Sequence, residues 1–123
     1  MRLLRTRADV AIVRVDKYHD PSGDCIRYVV ISEKPATPLP DGTPAWEVTI
    51  SNVCPRCKVA AIDLNCGNFS SDRPLDPHVF SLVVPGDCLV NYGDPIGPTM
   101  NLSFVYYNRV HFDLLVKNAY CLE

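Results

Sequence analysis

A chain of 123 residues carries 12 basic and 14 acidic side chains, a net charge of −2, and 47% apolar residues. That is one domain of ordinary globular composition, long enough to bury roughly two-thirds of the surface of its unfolded chain. The charge balance argues against a general nucleic-acid binder and against a polybasic membrane anchor, and no stretch approaches the ~20 apolar residues of a membrane span.

Residues 1–23 read as a tail, disordered or loosely packed, ahead of a domain at 24–123. They are basic first and polar afterwards, ending in His19-Asp20-Pro21-Ser22-Gly23. The Ala11-Ile12-Val13 run leaves an added strand over residues 10–15 as the alternative. A secretory signal needs an apolar run of about 7–15 residues. After Met1-Arg2-Leu3-Leu4-Arg5-Thr6-Arg7 none follows, because charge interrupts residues 8–14 at both ends. Either a leader lies outside this sequence or the protein stays inside the cell; the first is the expectation.

From Asp24 onward the pattern is short β-rich runs divided by turn chemistry. Residues 26–31 form a β-branched run. Residues 35–44 hold four prolines and Asp41-Gly42, so they read as a loop. Residues 46–52 alternate strictly, with Trp46, Val48 and Ile50 on the inward face and Glu47, Thr49 and Ser51 opposite. Residues 58–66 also alternate, placing Ala60, Ile62, Leu64 and Cys66 together, against Ala61, Asp63 and Asn65. Residues 80–84 and 88–92 are shorter candidates, residues 95–98 a turn, and residues 102–107 aromatic and β-branched. Residues 111–118 put Phe112, Leu114 and Val116 on one face, with Asp113 and Lys117 on the other. The best short helix is Asp76-Pro77-His78-Val79-Phe80, with Asp76 as cap and Pro77 at the first helical position. About seven short strands with proline and glycine turns predict an all-β fold, an antiparallel β-sandwich.

The six cysteines, Cys25, Cys54, Cys57, Cys66, Cys88 and Cys121, decide between two kinds of protein. An even count in a short chain reads as a disulfide framework, and so as an extracellular protein. Cys54-Pro55-Arg56-Cys57 looks locally like half of a zinc site, which would imply an intracellular metallo-domain. No second CxxC follows, Lys58 stands where a knuckle glycine is common, and His19, His78 and His111 lack zinc spacing. A thiol–disulfide active site would sit at a helix N-terminus after a parallel strand, whereas here one apparent antiparallel strand precedes and another follows. The preferred reading is a tight turn with both cysteines oxidised, bonded to each other or to different partners. Six cysteines allow fifteen pairings, and sequence does not choose among them. Asn68-Phe69-Ser70 and Asn101-Leu102-Ser103 are N-glycosylation sequons, which arise by chance often enough to support a secretory route only weakly.

No catalytic constellation is legible. Asp63 and Asp113 fall on solvent faces, Asp41 and Asp94 in turns, and His111 opens a strand. No cofactor-binding motif and no metal-ligand set stand out, so an enzyme is unsupported. For a sugar-binding platform the weak candidates are Tyr92 and Tyr107, since one of the adjacent Tyr106 and Tyr107 must face out of a sheet.

Four strings carry a resemblance. They are Val48-Thr49-Ile50-Ser51-Asn52-Val53-Cys54-Pro55-Arg56-Cys57; Leu64-Asn65-Cys66-Gly67-Asn68-Phe69-Ser70-Ser71 with Asp76-Pro77-His78-Val79-Phe80; Asp87-Cys88-Leu89-Val90-Asn91-Tyr92-Gly93-Asp94-Pro95-Ile96; and Phe104-Val105-Tyr106 with Phe112 and Cys121. Together they resemble the plant tapetum determinant family, including its grass relatives, over about four-fifths of the chain. The resemblance implies a small secreted cysteine-rich ligand of the apoplast. Its partner would be a leucine-rich-repeat receptor kinase ectodomain, with a co-receptor kinase. Its role would be to specify anther and tapetum cell fate and to limit the number of sporogenous cells. The resemblance marks scaffold positions and assigns no receptor-binding residue. The alternative is a cell-wall carbohydrate-binding β-sandwich.

Overall fold

A computed structural model describes residues 24–122; the predicted tail at 1–23, with its alternative strand at 10–15, lies outside the described residues. A 3₁₀ turn (Asp24–Tyr28) leads into seven strands: β1 (Val29–Ala36), β2 (Ala45–Asn52), β3 (Lys58–Gly67), β4 (Phe80–Val84), β5 (Gly86–Val90), β6 (Asn101–Tyr107) and β7 (Leu115–Leu122). All pairings are antiparallel. One sheet has the order β1-β2-β6, the other β4-β5-β3-β7. The expected all-β sandwich of about seven short strands is the fold observed.

The core follows from alternation. Val48, Ile50 and Asn52 of β2 and Phe104 and Tyr106 of β6 are buried from one sheet; Val59, Ile62, Leu64, Cys66, Phe80, Cys88 and Val90 are buried from the other. Aromatic rings join the two layers. Phe80 of β4 stacks on Phe104 of β6 with centroids 4.4 Å apart, and Phe69 meets Phe80 and Tyr106 edge-on at 5.1 Å each. Such pairs add about 0.5–1.5 kcal/mol each beyond their buried area. The outer face of the three-stranded sheet is polar: Lys34 pairs with Glu47 at 3.4 Å, and the Thr49 and Ser103 hydroxyls share a hydrogen bond of 2.8 Å.

Several element limits differ from the sequence expectation. The β-branched run at 26–31 is divided, its first three residues being 3₁₀ and the rest opening β1. Pro35 and Ala36 belong to β1 and not to the following loop, because β1 is an edge strand, where proline is tolerated. Along β3, Ile62, Leu64 and Cys66 face inward as expected, but Val59 rather than Ala60 joins them. A bulge intervenes: Ala61 has φ 52°, and pairing with β7 slips between Ala60 and Asp63. The run at 88–92 is displaced. β5 is Gly86–Val90, and Asn91–Gly93 form a 3₁₀ turn in which Asn91 and Tyr92 have positive φ. The last strand begins at Leu115; Phe112 and Leu114 pack into the core from the connection before it. Asp76–Phe80 is one turn, not a helix: the Asp76 carboxylate accepts from the His78 N–H at 2.9 Å, and the Asp76 carbonyl from the Val79 N–H at 2.9 Å. β4 and β5 are joined through Pro85 and Gly86, the latter at φ 85°, the proline-then-glycine order of a type II turn.

Candidate interaction surface

The six cysteines form three disulfides: Cys25–Cys121, Cys54–Cys57 and Cys66–Cys88. Cys25–Cys121 ties the entrance of the described chain to the end of β7. Cys66–Cys88 crosses from β3 to its neighbour β5 inside the core. Cys54–Cys57 closes the corner at which the chain leaves β2 in one sheet and enters β3 in the other. Of the two alternatives for that pair, bonding to each other is the one observed.

Asn52 holds this corner, and sequence reasoning passed over it. It is fully buried at the end of β2. Its side-chain amide donates to the carbonyls of Cys57 at 2.8 Å, Ile96 at 3.0 Å and Gly97 at 3.0 Å, and its oxygen accepts from the Cys54 N–H at 2.8 Å. One side chain thereby satisfies backbone groups on both sides of the corner and on the 91–100 connection. The adjacent signal in the sequence was an inward-phase polar residue at the end of a clean alternation.

The carboxylates are less scattered than the sequence suggests. Asp63 on β3 and Asp87 on β5 share a hydrogen bond on the outer face of the four-stranded sheet, and Lys117 Nζ lies 3.1 Å from Asp87 Oδ1. Lys117 is the extra residue where β7 slips against β3 between Asp63 and Leu64. Partial burial, then the hydrogen bond to Asp87 and its charge, push the Asp63 carboxyl above its ordinary value. The hydrogen bonds from Asp63 and Lys117 hold Asp87 below its own. Of the other acids, Asp41 lies in its expected turn, where the Thr43 hydroxyl at 2.7 Å and N–H at 2.9 Å lower its pKa. Asp94 follows the 3₁₀ turn, and Asp113 is exposed.

His111 does not open a strand. Its ring meets that of Trp46 at a tilt of 58° with centroids 4.6 Å apart, and it hydrogen-bonds Glu33 on β1 at 2.8 Å, closing one margin of the sandwich. The indole N–H of Trp46 is buried there with no acceptor among the described residues. Tyr106 faces the core and Tyr107 is half-buried on β6; Tyr92, in the 3₁₀ turn that follows β5 of the other sheet, meets the His78 ring at a tilt of 43° with centroids 4.4 Å apart. The structure therefore does not bring Tyr92 and Tyr107 together as a platform. Asn68 and Asn101 are both exposed, Asn68 just past β3 and Asn101 at the head of β6. The Asn68 sequon straddles the surface, since Phe69 between Asn68 and Ser70 is a core residue.

Of the large apolar residues exposed among the described residues, Val30, Tyr92, Val110, Leu115 and Tyr120 lie apart and the others form two groups. Leu82, Val83 and Val84 are exposed at the outer end of β4, and Val53 and Met100 near the Cys54–Cys57 corner. A groove of about 320 Å³ runs beside β4, and its lining includes Phe69, Leu75, Pro77, Leu82 and Arg73. Among the described residues no group of three or more histidine, cysteine, aspartate or glutamate side chains could hold a metal ion. No helix of them is long and apolar enough to cross a membrane.

Residues 25–122 match the family model described as Tapetum determinant 1, C-terminal. The chain is similar to TPD1 protein homolog 1 of Arabidopsis thaliana, with 42% identity over 94 residues, covering 76% of this chain and 52% of that protein. It is similar to TPD1 protein homolog 1B of Oryza sativa subsp. japonica, with 39% identity over 93 residues, covering 76% and 55%. TPD1 protein homolog 1A of the same rice is 38% identical over 101 residues, covering 76% and 45%. The chain thus spans about half the length of the curated relatives it matches. No solved structure matches.

Proposed function

The chain belongs to the tapetum determinant family, and from that membership we propose that it is a secreted protein ligand for a plant leucine-rich-repeat receptor kinase. In this reading it acts in the apoplast, helps specify anther and tapetum cell fate and limits sporogenous cell number. It works by binding and not by catalysis, with a co-receptor kinase joining the complex. The observation that carries the proposal is the family match over residues 25–122, the span that contains all three disulfides. Disulfides of this kind form in oxidising compartments, which supports a secretory route, with Asn68 and Asn101 as glycan acceptors. A stapled sandwich is ordered before it binds, so little conformational entropy opposes docking onto the concave face of a receptor solenoid.

Calorimetry with purified anther receptor ectodomains tests this reading. Oxidised protein is expected to bind with nanomolar-to-micromolar affinity, the range of specific interfaces of standard size. Full reduction is expected to abolish binding, because it loosens the scaffold that presents the surface. Failure of the oxidised protein to bind any such ectodomain would overturn the ligand assignment.

A further inference from the structure

The β4–β5 hairpin is where this domain leaves a run of apolar side chains uncovered. Leu82, Val83 and Val84 are 50%, 56% and 53% exposed, while Phe80 at the other end of the same strand is buried. β4 is the outermost strand of its sheet and pairs with β5 alone. Edge strands are commonly guarded by charged side chains, prolines or bulges. β4 has a register slip between Leu82 and Val84 and a proline just beyond its end, but it carries no charged residue. Leu82 pairs with Cys88, which faces the core, and Val84 with Asp87 on the outer face; both are half-exposed, so neither face of the hairpin's outer half is covered by the other sheet. The adjoining groove shares Leu82 as a wall, and Arg73 is its only charged lining residue.

Building on the receptor-ligand reading, we propose that this hairpin is the receptor-contacting element, inserting into a concave, apolar-lined surface of the ectodomain that presents a carboxylate to Arg73. A concave partner is required because a flat surface covers one face of the strand and leaves the other wet. A second copy of this chain is a poorer occupant. β4 has five residues, a seam of roughly 17 Å, too short by itself to reach the ~1,000 Å² of a specific interface.

The test uses the oxidised 123-residue chain against a panel of immobilised leucine-rich-repeat receptor-kinase ectodomains expressed in anthers. Val83→Glu is expected to weaken binding about tenfold or more, as for an anchor at an interface centre, and Arg73→Glu several-fold. Leu115→Glu, exposed on the opposite edge of the same sheet, is expected to change it less than about twofold, as for a residue outside the interface. Unchanged binding by Val83→Glu, with the wild type bound, would overturn the hairpin assignment and leave the ligand reading standing. No binding by the wild type to any ectodomain would remove the ligand reading itself, and the hairpin's role with it. Should Val83→Glu fold poorly, amide exchange of the wild type with and without its ectodomain decides: protection over residues 80–87 supports the proposal, and protection confined elsewhere overturns it. A wild-type dimer in light scattering that Val83→Glu dissociates would assign the hairpin to a second copy instead.

Discussion

Asn52 shows how one buried polar side chain sets the geometry around it. Its four hydrogen bonds all go to backbone groups, and its surroundings offer three carbonyls and one N–H. Asn52→Asp keeps the shape but faces those carbonyls with a buried negative charge. It should cost about 3 kcal/mol or more at pH 7, against roughly 1–3 for Asn52→Ala, which leaves the same groups unpaired. Denaturant melts at pH 7 and pH 4 check this, with the gap between the two variants expected to narrow at the lower pH as the new carboxyl takes up a proton. The Asp63–Asp87 pair gives a second test at this scale. Asp63 is held above its ordinary pKa, so the folded state binds its proton more tightly than the unfolded state does. Its contribution to stability is present below the unfolded carboxyl pKa and is lost as pH rises through the folded one. Asp87, held below its ordinary value, contributes in the opposite sense, with stability present above the unfolded pKa and lost as pH falls. Asp63→Asn removes the unfavourable member and puts an amide N–H where the carboxyl O–H would donate to Asp87. The melting temperature should rise by roughly 1–3 °C at pH 7, a modest figure because the site is partly solvated, and the gain should disappear near pH 3. A gain that grows on acidification would contradict the sign. Neither residue was legible as important in the sequence: Asn52 because satisfaction of a buried amide depends on residues 44 and 45 positions away, and the Asp63–Asp87 pair because a diagonal contact between strands requires the register.

At the scale of elements, alternation carried the reading wherever one face of a strand packs and the other meets water. β2 is of that kind, and its inward Val48 and Ile50 emerged from period alone, whereas for β6 the sequence showed only that one of Tyr106 and Tyr107 must face out. The same logic failed in β3 for a physical reason, since a bulge resets the phase without leaving a compositional mark. Ala61 lies in the left-handed region at φ 52°, where any side chain crowds the backbone. Ala61→Gly should therefore be neutral or stabilising by about 0.5–1 kcal/mol, and Ala61→Val destabilising, since a β-branched residue is least tolerated there. Thermal melts of the two variants would show the reverse order if the bulge were dispensable. The disulfides rank by the length of chain they close. Separations of 96, 22 and 3 residues correspond to roughly 4–5, 3 and 2 kcal/mol of denatured-state entropy. Paired serine replacements should accordingly lower the melting temperature most at Cys25–Cys121 and least, by several degrees, at Cys54–Cys57. An unchanged melting temperature after the last replacement would mean that Asn52 holds the corner unaided. Which cysteines pair was not legible, because pairing depends on the order of strands across the sheet, and the sequence supplies only their order along the chain.

For the whole molecule, fold class was legible, whereas the surface that meets a partner was not. Strand count, turn chemistry and an even number of cysteines point to a stapled sandwich before any coordinates. The hairpin at 80–90 reads in the sequence as two ordinary short strands, and its lack of cover emerges only when the other sheet is in place. The division of the chain can be argued further. All three disulfides lie within residues 25–121. Every residue of the described core falls between Cys25 and Cys121 as well. Cys25–Cys121 joins the two ends of that span, so the domain is covalently closed just after residue 24. A chain of residues 24–123 contains every contact that defines the described core and should fold on its own, with a melting transition within a few degrees of that of the 123-residue chain. Calorimetric scans of the two oxidised proteins, side by side, make the comparison. A large loss on removing residues 1–23 would mean that the Ala11-Ile12-Val13 run contributes to the sheet. The other sheet edges among the described residues, β1, β6 and β7, are then the places to look for it, by amide exchange of the 123-residue chain against the shortened one.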